Sequence, residues 1–133
     1  MTLRRQFDLL PEDLKFLEDY GLAWETLVDG SRWVLIHEFP TPTGYNQKQV
    51  IATIRIEIGY PKTPLDMVYF HPALARIDKK PIGATQGTQQ LDGKVFQRWS
   101  RHRTNINPWL VGQDNLGTHI ILVEDWLERE FEK

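Results

Sequence analysis

The run Val50 to Ile58 alternates apolar and polar residues more regularly than any other part of this chain, and it constrains the fold most. Val50, Ala52, Ile54, Ile56 and Ile58 fall on one side; Thr53, Arg55 and Glu57 fall on the other, with Ile51 the apolar exception. A period of two is the signature of a half-buried antiparallel strand, so its apolar side needs a cover. Both ends of the chain supply helical patterns for it. Pro11 suits a first helical turn, Glu12 and Asp13 suit the positive end of the helix dipole, and Leu10, Leu14, Leu17 and Tyr20 recur at helical spacing before Gly21. Near the other end Asp114 is the expected N-cap of a second helix. Leu116, Ile120, Val123, Leu127 and Phe131 form its apolar stripe, and Glu124, Glu128 and Arg129 face solvent.

Three more strands are expected. Ala23 to Val28 and Arg32 to Phe39 flank Asp29-Gly30-Ser31, a hairpin signal because glycine tolerates positive φ. Pro40, Pro42 and Gly44 break the chain before Val50, and Met67 to Phe70 follows the break at Gly59, Pro61 and Pro64. The fold class read from this order is α+β, with an N-terminal helix, a four-stranded antiparallel meander, a long flap and a C-terminal helix. The flap, residues 71–108, is punctuated by Pro72, Pro81, Gly83, Gly87 and Gly93, with one strand-like piece at Lys94 to Trp99. A long irregular segment in a compact domain is usually functional or disordered, and Phe96, Trp99 and Trp109 argue for order here.

At 133 residues the chain reads as a single domain, 1–133, with a core over 10–131. A net charge of −2 argues against bulk polyanion binding. Arg98, Arg101 and Arg103 around Trp99 have the composition of a single-strand binder, but the acidic terminal helices oppose that reading, so no nucleic-acid partner is expected. No apolar run reaches membrane-spanning length, and Asp8, Glu12 and Asp13 interrupt any signal-peptide core, so a cytoplasmic protein with no membrane partner is expected. The four histidines lack metal-ligand spacing and there are no cysteines, so neither a metal nor another cofactor is expected.

Three motifs carry a likeness. Tyr60-Pro61-Lys62-Thr63-Pro64-Leu65-Asp66-Met67 resembles the Tyr-Pro-x-x-Pro-Pro corner of the ubiquitin-conjugating (UBC) fold, with Leu65 in place of the last proline. Phe70-His71-Pro72 resembles the start of its His-Pro-Asn motif, with Ala73 where asparagine stands. Asp92-Gly93-Lys94-Val95-Phe96 resembles its nucleophile segment, with Phe96 where the catalytic cysteine stands. Trp99-Ser100-Arg101-His102 then resembles a bacterial branch of the superfamily associated with ubiquitin-like protein modification. The resemblance implies a UBC-like fold and three partners: a ubiquitin-like protein, an adenylating protein of the activating-enzyme kind, and the lysine of a target protein.

Without cysteine the thioester of that family cannot form, so another side chain must take the acyl group or the chain does not carry one. Ser31 lies in the hairpin turn. Ser100 lies just beyond the vacant position, and a serine needs a base within hydrogen-bond reach. His102 would share a side with Ser100 in an extended segment, at a β-carbon separation of roughly 7 Å, so a bulge or bound water would have to join them. His71 or His119 would be the other bases. Arg98, Arg101 and Arg103 would stabilise an oxyanion or hold a ubiquitin-like tail by bidentate bonds, and Pro61, Pro64 and Met67 would meet a partner. One reading is therefore an acyl carrier that takes a ubiquitin-like C-terminus as an oxyester on Ser100 and passes it to a lysine amine. The alternative is a catalytically inactive scaffold that binds the ubiquitin-like protein or its activating enzyme. Beside the catalytic readings stand plainer ones: Ser100 as a structural hydroxyl, His71 bonding the flap backbone, and His37 and His119 as core or boundary residues.

Overall fold

The computed structural model describes residues 2–133. Helix α1 runs Pro11–Tyr20, and Gly21, at φ +85°, ends it with its N–H on the Leu17 carbonyl. Six strands follow: β1 Trp24–Asp29, β2 Ser31–Pro40, β3 Gln49–Ile56, β4 Val68–His71, β5 Thr88–Leu91 and β6 Lys94–Trp99. They form one antiparallel sheet in the order β1-β2-β3-β4-β6-β5. Four strands were expected, and the other two come from the flap. It folds into a hairpin about Asp92-Gly93, both at positive φ, and β6 pairs with β4.

The regular alternation of β3 does mark two faces, but both are covered. On the first, Val34, Ile36, Ala52, Ile54, Val68, Phe70 and Trp99 pack with Leu17 of α1 and with Leu116, Ile120, Val123 and Leu127 of helix α2, Leu116–Arg129. On the second, Leu27, Trp33, Leu35, Tyr69, Leu91 and Phe96 make a smaller core, beside which Thr53 is also buried. A half-buried strand was the expectation. The sheet instead curls until its ends meet, closing the second face over the middle of β3. Polar groups fasten that closure. The Asp92 N–H donates to Asp29 Oδ2 at 3.0 Å, and the Arg4 guanidinium binds Glu25 at 2.8 Å and Asp92 at 2.7 Å. Arg4 holds the Glu25 carboxyl down at a pKa of about 2, because the charged form accepts its hydrogen bonds.

Three local expectations shift. β3 stops at Ile56, two residues short, because the chain turns at Glu57–Tyr60, which leaves Ile58 97% exposed. A bulge between Ile36 and Phe39, with Glu38 at φ +54°, returns Phe39 to the main core. The cap of α2 is Asn115 rather than Asp114: its side chain accepts from the Thr118 N–H at 3.1 Å, while the Thr118 hydroxyl accepts from the Asn115 N–H at 2.9 Å. Asp114 accepts from the Leu110 N–H instead. Phe131 lies on the short turn Glu130–Glu132 after α2, packed so close to Gly44 that a β-carbon there would stand 2.7 Å from its ring.

The proline corner is tied to both helices. The Tyr60 hydroxyl donates to Asp13 Oδ2 at 2.7 Å and accepts from the Leu116 N–H at 2.8 Å, and burial pushes the Asp13 carboxyl up. Leu65, standing where the resembling motif has proline, is fully buried. Among the described residues no helix is long and apolar enough to cross a membrane.

Candidate functional site

β6 ends at Trp99, whose indole is fully buried edge-on to Phe70, because its partner strand β4 begins opposite it at Val68, and beyond that pair the chain leaves the sheet. The strand alternation that would have set Ser100 and His102 side by side therefore does not continue. The half-buried Ser100 donates its N–H to the Ala84 carbonyl at 2.9 Å, and its hydroxyl accepts from Arg98 Nε at 3.2 Å. Arg98 lies across Gly87, where a β-carbon would come within 2.6 Å of the guanidinium. Among the described residues no hydrogen bond joins Ser100 to an imidazole. Its partner is a guanidinium, which is always protonated and cannot take a serine proton.

His102 is held by a residue that sequence reasoning did not single out. Its Nδ1–H donates to Asp66 Oδ2 at 2.7 Å, with the His102 side chain 60% exposed. A carboxylate on Nδ1 fixes the tautomer and leaves Nε2 as the basic nitrogen, in reach of solvent. This pair joins residues 36 apart in the chain, so no spacing rule announces it. His71 is spent differently: its Nδ1–H donates to the Val95 carbonyl at 3.0 Å, clipping β4 to β6, with its ring against Phe96.

The proline corner sits directly over this segment. The Met67 N–H donates to the Arg101 carbonyl at 3.0 Å, and the Met67 carbonyl accepts from His119 Nε2 at 2.8 Å. These bonds hold Met67 at φ +60°, a conformation costing a β-carbon residue on the order of 1–3 kcal/mol. His119 is almost wholly buried, edge-on to Trp126, and burial lowers its pKa to about 4, so it is neutral at ordinary pH. It is a core histidine, with its Nδ1 buried and unpartnered. His37, the other boundary histidine, bonds Glu25 at 2.8 Å.

Like Arg98, the other two arginines expected to hold a partner make contacts within the molecule. Arg101 donates to the Gly83 carbonyl at 3.0 Å, lies 3.6 Å from Glu130 and stacks on Trp99. Arg103 lies over Trp109 and 3.6 Å from Asp114. The Pro61 carbonyl accepts from the Trp109 indole at 2.9 Å, whereas Pro64 is exposed. The Met67 side chain is half-buried beside the second core. Phe96, where the resemblance puts the nucleophile, is fully buried in that core. Among the described residues no three His, Asp or Glu side chains converge as metal donors.

No curated protein and no solved structure matches this chain. A family model described as Prokaryotic E2 family E matches residues 9–130, from the edge of α1 to the end of α2. With two helices on a curled antiparallel sheet, the proline corner and that match over nearly all of its length, the chain belongs to prokaryotic E2 family E, and its role is ubiquitin-conjugating-like.

Proposed function

We propose that this chain works without carrying an acyl group, as an E2-like docking module that binds a ubiquitin-like protein or its adenylating partner while another chain holds the activated C-terminus. One observation supports this most. The position that the resemblance gives to the nucleophile is Phe96, with none of its side chain reaching solvent. Ser100, the hydroxyl that follows that position on the same segment, has an arginine for its partner rather than a base. Reconstitution with the cognate ubiquitin-like protein, the adenylating partner and ATP tests the reading. Saturable binding is expected, with no mass increase on this chain and the same pathway output from Ser100→Ala. An adduct that survives thiol reductant, yields to hydroxylamine and disappears in Ser100→Ala would establish the oxyester carrier instead.

The Asp66–His102 pair favours a second reading, in which the module lends a general base. A lysine amine attacking a thioester on the partner chain would give its proton to His102 Nε2 as the carbon–nitrogen bond forms, the carbon–sulfur bond breaks and the sulfur leaves as a thiolate. His102→Gln should then slow transfer by about 10²-fold with binding unchanged. An unchanged transfer rate in that variant rules the role out.

A further inference from the structure

The last rung of the sheet's first face has no helix over it. Val28, Arg32 and Ile56 lie side by side there, Val28 paired with Arg32 and Arg32 with Ile56. Helix α1 begins only at Pro11, so the preceding chain, Phe7 to Leu10, and the turn at Glu57 to Tyr60 line a groove instead. Its volume is about 680 Å³, within the range that bound ligands occupy. Two apolar side chains at this groove stay open to solvent, Val28 at 53% and Ile58 at 97% exposure.

The charges along the groove are unequal in their partners. Arg55 has Glu57 at 3.5 Å. Arg32 lies 5.4 Å from the centre of the Phe7 ring, and among the described residues it has neither an ion pair nor a hydrogen-bond acceptor. A guanidinium presents five donors in a fork that matches a carboxylate, so an unmatched one beside an apolar trough selects a particular ligand. Asp8 and Glu57 at the same groove disfavour a polyanion. The apolar lining disfavours a ligand that is charged throughout.

We infer that this groove docks a short extended segment of a partner polypeptide in which an apolar side chain adjoins an Asp or Glu. The apolar side chain enters between Val28, Ile56 and Ile58, and the carboxylate pairs with Arg32. The existence of a protein partner rests on the docking reading above; the chemistry of the segment rests on the groove alone.

The test is fluorescence polarisation with labelled Gly/Ser-rich octapeptides bearing Leu-Leu-Asp, Leu-Leu-Asn or Ser-Ser-Asp at the centre. The Leu-Leu-Asp peptide should bind saturably, with the Asn peptide weaker by about fivefold or more, as expected for losing a charge-assisted bond. Replacing both leucines, or substituting Ile58→Ser in the protein, should weaken binding by about tenfold. Arg32→Gln should abolish the preference for Asp over Asn. Arg32 and Ile58 are both exposed, so these variants fold, and matching thermal melts check it. Equal affinity for the Asp and Asn peptides, a preference that survives Arg32→Gln, or no saturable binding overturns the inference. If Arg32→Gln keeps full affinity for the ubiquitin-like or adenylating partner, the groove is not its seat and the docking reading still stands. If neither partner binds while the Leu-Leu-Asp peptide does, the docking reading falls and the groove remains.

Discussion

Between pH 7 and pH 5 a histidine in an unfolded chain takes up a proton, whereas His119 in the folded protein does not. Its pKa falls from 6.5 to about 4, first because burial penalises the charged ring and then because the Arg103 charge adds to that penalty, against the Met67 carbonyl bond that favours it. Across that window the unfolded state binds more protons, so stability rises with pH and is lost as the pH falls. With about 1.36 kcal/mol for each unit of difference, the loss from pH 7 to pH 5 works out at about 2 kcal/mol. Glu25, with its pKa held at about 2, and Asp92, held below the usual carboxylate range, keep their charges over this interval, so the Arg4 clasp stays out of the comparison. Urea denaturation at both pH values, on the wild-type chain and on His119→Gln, isolates the contribution. Glutamine can still donate to the Met67 carbonyl but does not titrate. The wild type should lose about 2 kcal/mol more than the variant; equal losses would refute a buried neutral His119.

Two other consequences follow from the second core and its clasp. Phe96→Cys puts a thiol where the family places its nucleophile, yet it should give no thioester and no reaction with Ellman's reagent until the protein unfolds. It should also cost about 3 kcal/mol, since it removes a fully buried aromatic ring; fast native-state labelling would contradict the burial on which the docking reading depends. Arg4→Ala strips the Glu25 carboxylate, 4% exposed, of its main partner and frees Asp92. The expected loss is about 2 kcal/mol, below that of a fully buried pair because Arg4 itself is about one-third exposed, and is read as a lower urea midpoint at unchanged slope. No change in midpoint would mean that the sheet stays curled without the clasp.

Local chemistry wrote several features openly. Pro11 and Gly21 bracket α1, Asp29-Gly30 turns the first hairpin, and the β3 alternation separates two faces, because each depends on residues within a few positions of one another. The cap of α2 was displaced by one residue, since Asp114 and Asn115 are both good caps and only the bond with Thr118 decides between them. The Asp66–His102 pair was hidden because it depends on where the corner lies over the segment after β6. Ser100 and His102 share a side only if the strand continues past Trp99, and it does not, because β4 offers no partner beyond Val68 and the Ser100 N–H bonds the Ala84 carbonyl.

The amino-acid order by itself determined the two helices, the hairpin signals, the proline corner and the impossibility of a thioester, for each is a matter of residue type at close spacing. Only the tertiary structure decided that the flap joins the sheet, that Phe96 closes a second core, and that Ser100 faces a guanidinium. Those outcomes depend on groups far apart in the chain, Arg4 with Asp92 and Asp66 with His102, meeting because the sheet curls and the corner folds over. Sequence spacing carries no record of such meetings.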